Sequence, residues 1–425
     1  MSIILLAIFG FGYVAIAFEN KIKINKAASA LITGVLCWVA YIYFSSNKLD
    51  VNKSLVLHLG DISGILFFLL GAMTIVELVD AHDGFEIITD FISQTNKRKL
   101  LWIIGFITFF LSSILDNLTT TIVMVSLLRK LIRNQDDRRL FVGIVIIAAN
   151  AGGAWSPIGD VTTTMLWIGG QISTVNIISK IFLPSLVCIV IPLFAVSFQL
   201  KGNVERTLLK FKTPTTFLSR RKQISILILG ILILVLVPVF KTFTHLPPFM
   251  GMLLGLGVLW IATEIMHKAE GHQAKKHLTL ANALHKIDIS SILFFLGILM
   301  AVAALESSGI LSTMALWLIK TIGNISIIVM GIGLSSSIID NVPLVAAAQG
   351  MFNMSQYPMD SFIWEFLAFC TGTGGSILII GSAAGIAAMG MEKIDFFWYI
   401  KNISWLALLG FFTGAFVCIA LERLF

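Results

Sequence analysis

Apolar runs about as long as a bilayer crossing recur from one end of the chain to the other, separated by short polar stretches. They predict spanning helices at 2–18, 27–45, 62–80, 140–168, 177–200, 224–241, 249–266, 288–305, 362–390 and 402–422. Two further apolar stretches do not read as simple crossings. Residues 100–132 are long for one helix, carry polar Ser112-Ser113 and Asp116-Asn117 at their middle, and are basic at both ends, from Lys97-Arg98-Lys99 to Arg129-Lys130. With both ends in one compartment the segment must enter and return, as a re-entrant hairpin with its polar tip at membrane depth. Residues 312–351 repeat the pattern around Asp340-Asn341-Val342-Pro343. No Lys or Arg occurs from 321 to 392, so this second hairpin should open on the opposite side.

Two of the ten spans are interrupted. Gly152, Gly153, Pro157 and Gly159 fall inside 140–168, and Thr371-Gly-Thr-Gly-Gly-Ser376 falls inside 362–390, so both should be broken helices with unwound backbone at their centres. The chain also repeats itself. Asp61-Ile-Ser-Gly-Ile-Leu-Phe-Phe-Leu69 returns as Asp288-Ile-Ser-Ser-Ile-Leu-Phe-Phe-Leu296, Ser112-Ser-Ile-Leu-Asp-Asn117 as Ser336-Ser-Ile-Ile-Asp-Asn341, and Asn150-Ala-Gly-Gly153 as Gly372-Thr-Gly-Gly375. Three matches in one order at nearly constant offset define an internal repeat. The span from Asp61 runs inward and that from Asp288 outward, so the halves are inverted copies. The expected organisation is a first half over 1–200, a cytoplasmic basic linker over 201–223 and a second half over 224–425.

Composition narrows the class. Of 425 residues, 57% are hydrophobic and 12% charged, against about 25% charged in soluble domains, which excludes a soluble globule. The fold class is an all-α polytopic membrane protein, with about ten spanning helices, two re-entrant hairpins and two broken helices. Residues 2–17 are uncharged, lack a basic leader region, and are expected to be a retained first helix. The net charge of +7 sits in short loops, at Lys21, Lys23 and Lys26, along 201–222, and along 267–286. That is the positive-inside pattern, not a nucleic-acid surface, and it puts those loops in the cytoplasm and both termini on the outer, periplasmic side. Short loops without an added soluble domain suit a prokaryotic inner (plasma) membrane. Cys37, Cys188, Cys370 and Cys418 lie singly in apolar segments and read as small core residues.

Inverted repeats with broken helices are the architecture of secondary transporters, whose sites lie where the halves meet. A carboxylate at membrane depth is costly unless paired, protonated or bound to a cation, so Asp116 and Asp340, one at each hairpin tip, are the central candidates for ion binding. Each would also cap its return helix. Asp160, beside Pro157 and Gly159, is a third deep acid that would serve as ligand, proton relay or cap. Around them stand Asn117, Thr120, Thr121, Asn150 and Ser156 in the first half, and Ser336, Ser337, Asn341, Thr371, Thr373 and Ser376 in the second. These are hard oxygen donors, suited to a hard cation at Asp116, Asn117, Asn150, Asp340 and Asn341; the hydroxyls have a competing use as partners of helix carbonyls. No Cys/His set points to a transition metal, and no basic side chain lies in a hairpin tip or broken helix to hold an anion. Glu77 is an accessory acid that would bind ions or snorkel to the interface. His82 and His267 read as solvated loop residues, and Asp61 and Asp288 as caps of equivalent helices.

The two tips, together with Asn-Ala-Gly-Gly-Ala-Trp-Ser-Pro-Ile-Gly-Asp-Val-Thr-Thr at 150–163, resemble the NhaD-type sodium/proton antiporters of the ion transporter superfamily, over essentially the whole chain. The resemblance implies Na+ or Li+ and protons as transported ions, no cofactor, no enzymatic activity, and a homodimer in the lipid bilayer with scaffold and moving transport domains. Related dicarboxylate carriers have Ser-Asn-Thr tips; Asp-Asn-Leu-Thr and Asp-Asn-Val-Pro here tell against an anionic substrate. The alternatives are an arsenite or organic-anion carrier of the same fold, an ion channel, and an intramembrane aspartyl protease built on Asp116 and Asp340, which would leave the inverted repeat unexplained.

Overall fold

The computed structural model describes residues 1–85, 87, 92, 94–205, 219–267 and 278–424. Among these the chain is helical throughout, with one isolated bridge between Asn96 and Asn203. Seven helices are long and apolar enough to cross a membrane: Lys26–Phe44, Lys48–Ala81, Thr174–Gln199, Arg220–Thr244, Pro248–Met266, Ile289–Ser307 and Phe396–Leu424. The other expected crossings are shorter or divided. Helix Ser2–Ala17 has 16 residues. The span expected over 140–168 is two helices, Gln135–Ala154 and Val161–Ile168, and that over 362–390 is Phe362–Gly374 followed by Ala383–Glu392. Large apolar side chains such as Ile3, Phe11 and Phe243 stand exposed on the outer helices, a surface that only a lipid solvent makes favourable.

The repeated helices Lys48–Ala81 and Ile289–Ser307 run antiparallel. Glu77, near the end of the first, meets Lys286 just before the second (Oε1–Nζ 3.0 Å), while His58 of the first lies 3.0 Å from Ser307 Oγ at the end of the second. The first hairpin consists of Lys97–Ser112 and Asn117–Leu131, the second of Ile325–Ser335 and Asn341–Met351. Arms of 11 residues rise about 16 Å, roughly half the hydrocarbon thickness, so neither arm of the second hairpin is long enough to cross. The second hairpin is shorter than the 312–351 read from the sequence. Gly323 takes a left-handed conformation (φ 71°), Asn324 caps the next helix, and Ile310–Ile322 therefore departs at 117° from Ile325–Ser335.

Other local readings change as well. Asp288 is an N-cap, accepting from Ser291 N (3.1 Å), but Asp61 is not: Asn47 caps that helix 14 residues earlier, accepting from Asp50 N, and Asp61 lies exposed in the helix interior. His82 and His267 are buried and stacked, with Nε2 atoms 2.8 Å apart and His82 Nδ1 2.6 Å from Leu78 O. Each follows directly on the end of a helix, Lys48–Ala81 or Pro248–Met266, and these two helices pack side by side, so the imidazoles cover one another instead of facing water. Arg206, Lys210 and Lys212 of the basic linker, and Lys268, His272, Lys275, Lys276 and His277 of the second basic loop, lie outside the described residues. At the end of the molecule where the first hairpin begins and ends, Glu392 of the second broken helix is buried between Arg129 (2.5 Å) and Arg138 (2.7 Å), tying the halves together.

Candidate functional site

Four helices begin around one small cavity of about 60 Å³: Asn117–Leu131 and Asn341–Met351 from the hairpins, Val161–Ile168 and Ala383–Glu392 from the broken helices. Each helix start exposes unpaired N–H groups and the positive end of its dipole. Three of the four N-cap residues are carboxylates and the fourth is a serine: Asp116, Asp340, Asp160 and Ser382. Ser382 occupies in the second half the position of Asp160 in the first, seven residues after the Gly-Gly pair in both.

Asp116 accepts from Thr119 N at Oδ1 (2.8 Å) and from Thr119 Oγ1 at Oδ2 (2.6 Å). Asp340 accepts from Val342 N (3.2 Å), and its Oδ2 faces Lys26 Nζ at 3.7 Å. Asp160 is buried, with Oδ2 accepting from Thr162 Oγ1 (2.9 Å) and Asn341 Nδ2 (3.3 Å). Asn150 links the halves, its Oδ1 accepting from Asn117 Nδ2 (3.0 Å) and its Nδ2 donating to Ser382 Oγ (3.1 Å). The tip asparagine of the second hairpin therefore reaches the first broken helix, while that of the first reaches the second through Asn150. Asp160 does not act as the cap expected at Val161–Ile168: its side chain accepts no N–H of that helix, being turned to Thr162 Oγ1 and Asn341 Nδ2 instead. All three carboxylates retain unused lone pairs.

The hydroxyls divide sharply. Thr120 and Thr121 are fully buried one turn below the first tip and have no hydrogen-bond partner among the described residues. Ser156 accepts from Ile158 N (3.4 Å) in the unwound stretch. In the second half Ser336 donates to Thr371 O, Ser337 to Leu334 O, Thr371 to Leu367 O, Thr373 to Phe369 O and Ser376 to Thr373 O, all at 2.6 to 2.8 Å. Those protons go to backbone carbonyls, and each of the five oxygens keeps lone pairs, whereas Thr120 and Thr121 have no partner for either. Glu77 is not at this cavity. It lines a larger one of about 390 Å³ with Asp80, Thr119, Lys286 and Asp288, and the two cavities share Met73, Val76 and Leu118 as walls. Thr119, the partner of Asp116, faces that larger space.

Two residues, one beside the cavity and one lining it, escape the sequence reading. Ser382 carries a signal, its spacing from the second Gly-Gly pair. Lys26 carries none: it follows Lys21 and Lys23 and reads as part of a basic loop, yet it opens helix Lys26–Phe44 and lines the cavity beside Asp340.

Two hairpins and two broken helices, meeting around one buried and two half-buried carboxylates within a bundle of membrane helices, define a secondary membrane transporter rather than an enzyme. The chain belongs to the citrate transporter family (CitMHS), whose profile matches residues 13–374. It is 49% identical over 421 residues to sodium/proton antiporter 1 of Arabidopsis thaliana, covering 98% of this chain and 72% of that protein. It is 48% identical over 419 residues to sodium/proton antiporter 2 of the same plant (98% and 99% covered), and 30% identical over 435 residues to the Na(+)/H(+) antiporter NhaD of Alkalimonas amylolytica (95% and 87% covered).

Proposed function

We propose that this chain exchanges Na+ or Li+ for protons, the cation and the protons competing for Asp116, Asp160 and Asp340. One observation carries the reading: three of the four helices that begin around the cavity start at a carboxylate of the chain itself, and those of Asp116 and Asp340 accept N–H groups of their own helices. Bare helix N-termini hold anions. At Asp116 and Asp340 that capacity is used internally, and a citrate or other organic anion would meet three carboxylates, offset only by Lys26 beside Asp340, in a space of about 60 Å³, which holds roughly two waters. A small hard cation meets carboxylate and amide oxygens at Asp116, Asn117, Asn150, Asp340 and Asn341, with the hydroxyls of Thr120 and Thr121 unpaired beneath. The sodium/proton antiporters that match nearly all of this chain support the same substrate.

Competition supplies the coupling. A site with several bare carboxylates is costly to move through a low-dielectric barrier, so the forms that cross are protonated or cation-loaded. A carboxylate must lose its proton to take the cation, so exchange rises with pH over the range in which the acids deprotonate. We read the chain as a homodimer in the lipid bilayer of a cell inner (plasma) membrane, with both termini on the outer side and the two halves over 1–200 and 224–425.

Proteoliposomes with an acid interior and an internal pH dye test the reading. Addition of NaCl or LiCl outside should alkalinise the lumen, faster at higher external pH, with saturation that separates exchange from a channel. Response to citrate or arsenite with none to Na+ or Li+ would overturn it. A finer expectation concerns Thr121→Val. An unpaired buried hydroxyl costs about 1 to 3 kcal/mol, so the variant should melt at or above the wild-type temperature while needing more Na+ for half-maximal exchange. Lower stability with unchanged Na+ dependence would show that the hydroxyl serves the fold.

A further inference from the structure

Lys26 has no obvious local reason to be where it is. It occupies the first position of helix Lys26–Phe44, where a positive charge opposes the helix dipole and Asn25 already caps by accepting from Ala27 N (2.8 Å). Its ammonium instead reaches across the fold to the second hairpin tip. It lies 3.7 Å from Asp340 Oδ2, longer than a tight charge-assisted hydrogen bond, and 4.4 Å from the centroid of the buried Phe294 ring. About a fifth of each charged side chain is exposed (22% and 19%), so the pair is partly dehydrated and still reachable by ions. Asp116, the matching carboxylate of the first tip, has no Lys or Arg within ion-pair distance among the described residues, and neither has Asp160. The two tips are therefore electrostatically unequal: one carboxylate is free to accept a cation and the other is held by a tethered one.

We propose that Lys26 is a built-in competitor for the transported cation at Asp340. With the site empty, its ammonium neutralises Asp340, and a cation arriving beside Asp116 takes Asp340 by displacing the ammonium, which stays over the Phe294 face with its charge unchanged. The lysine thereby sets how much Na+ is needed to load the site, and reduces the uncompensated charge that the empty carrier would carry.

This inference rests on the cation reading, and the test separates the two. Na+-dependent stabilisation of the purified protein against heat and the Na+ dependence of exchange are measured in alkaline medium for wild type, Lys26→Met and Lys26→Arg. Removal of the competitor should lower the half-saturating Na+ concentration roughly fivefold to tenfold, with a lower maximal exchange rate. Lys26→Arg, which keeps the charge and adds a forked donor, should leave half-saturation at or above the wild-type value. If Lys26→Met does not fold, Lys26→Arg decides alone: a half-saturating concentration below wild type overturns the proposal. A Lys26→Met protein that melts lower but loads Na+ like wild type also overturns it, making the pair a brace between helix and hairpin. If wild type neither binds nor exchanges Na+ or Li+, the cation reading itself has failed.

Discussion

Asp116→Asn and Asp340→Asn should each abolish Na+-driven alkalinisation of proteoliposomes while leaving a folded protein. Asparagine is as good an N-cap as aspartate, so Thr119 N and Val342 N keep an acceptor and both return helices keep their first turn. What disappears is one negative charge facing the cavity. Removing one partner from a poorly hydrated ion pair costs about 3 to 5 kcal/mol, which is more than about a hundredfold in affinity for the cation. The proton is lost as a competitor at the same atom, so raising the external pH should not rescue the rate. The two variants should differ in one respect. Asp340→Asn also strands the Lys26 ammonium beside the cavity and adds a repulsive charge, so its loss of Na+ binding should be the larger. A variant that exchanges Na+ normally with only a displaced pH profile would demote that aspartate from ligand to modulator. Normal exchange in both would remove the tips from the mechanism.

Much of this site is legible in the sequence, because deep polar residues are costly and stand out against an apolar background. Asp116 and Asp340 can be read from their equivalent places in a repeated motif, and Asn150 and Asp160 from the glycine-rich block that breaks a helix. For hydroxyls the sequence distinguishes less. Ser337, Thr371, Thr373 and Ser376 sit in the right motifs, but a hydroxyl within a helix satisfies itself on a preceding carbonyl, and only the three-dimensional arrangement distinguishes those four from Thr120 and Thr121. Charge patterning misplaces Lys26 for a related reason. The positive-inside rule counts lysines by position along the chain, whereas a four-carbon stem at a helix start can reach a partner more than 300 residues away in sequence. His82 and His267 read as solvated because their helices end beside polar loops; two helix ends brought side by side bury residues that either helix alone would expose.

Gly374→Ala should be among the most damaging single methyl additions in the protein, and Gly152→Ala should match it. A Cβ at Gly374 would lie 2.0 Å from Gly333 O, and one at Gly152 would lie 2.2 Å from Phe109 O. Both obstructing atoms are backbone of the first arm of a hairpin, so no side-chain rotation relieves the clash and the helices must separate. Overpacking costs about 1 to 3 kcal/mol, and against backbone that cannot rotate away it should fall at the upper end. By contrast, a Cβ at Gly60, inside helix Lys48–Ala81, would meet nothing within 4 Å, and alanine there should stabilise by up to about 1 kcal/mol through helix propensity. Melting curves of the three variants in one detergent make the comparison. Near-wild-type melting of Gly374→Ala would show that the hairpin and its broken helix can part freely. The matched pair matters for mechanism, because Ser112 Oγ to Ala149 O (2.6 Å) and Ser336 Oγ to Thr371 O (2.8 Å) repeat the same seam in each half. Each hairpin is thus locked to its own broken helix by backbone contact. The links between halves at the cavity, Asn150 to Ser382 and Asn341 to Asp160, are longer bonds between side chains alone (3.1 and 3.3 Å). If cations load at the carboxylates as proposed, those crossing side-chain bonds should rearrange before either seam does, while away from the cavity the halves stay joined where Gly34 and Gly297 bring Lys26–Phe44 against Ile289–Ser307 and where Glu392 lies between Arg129 and Arg138.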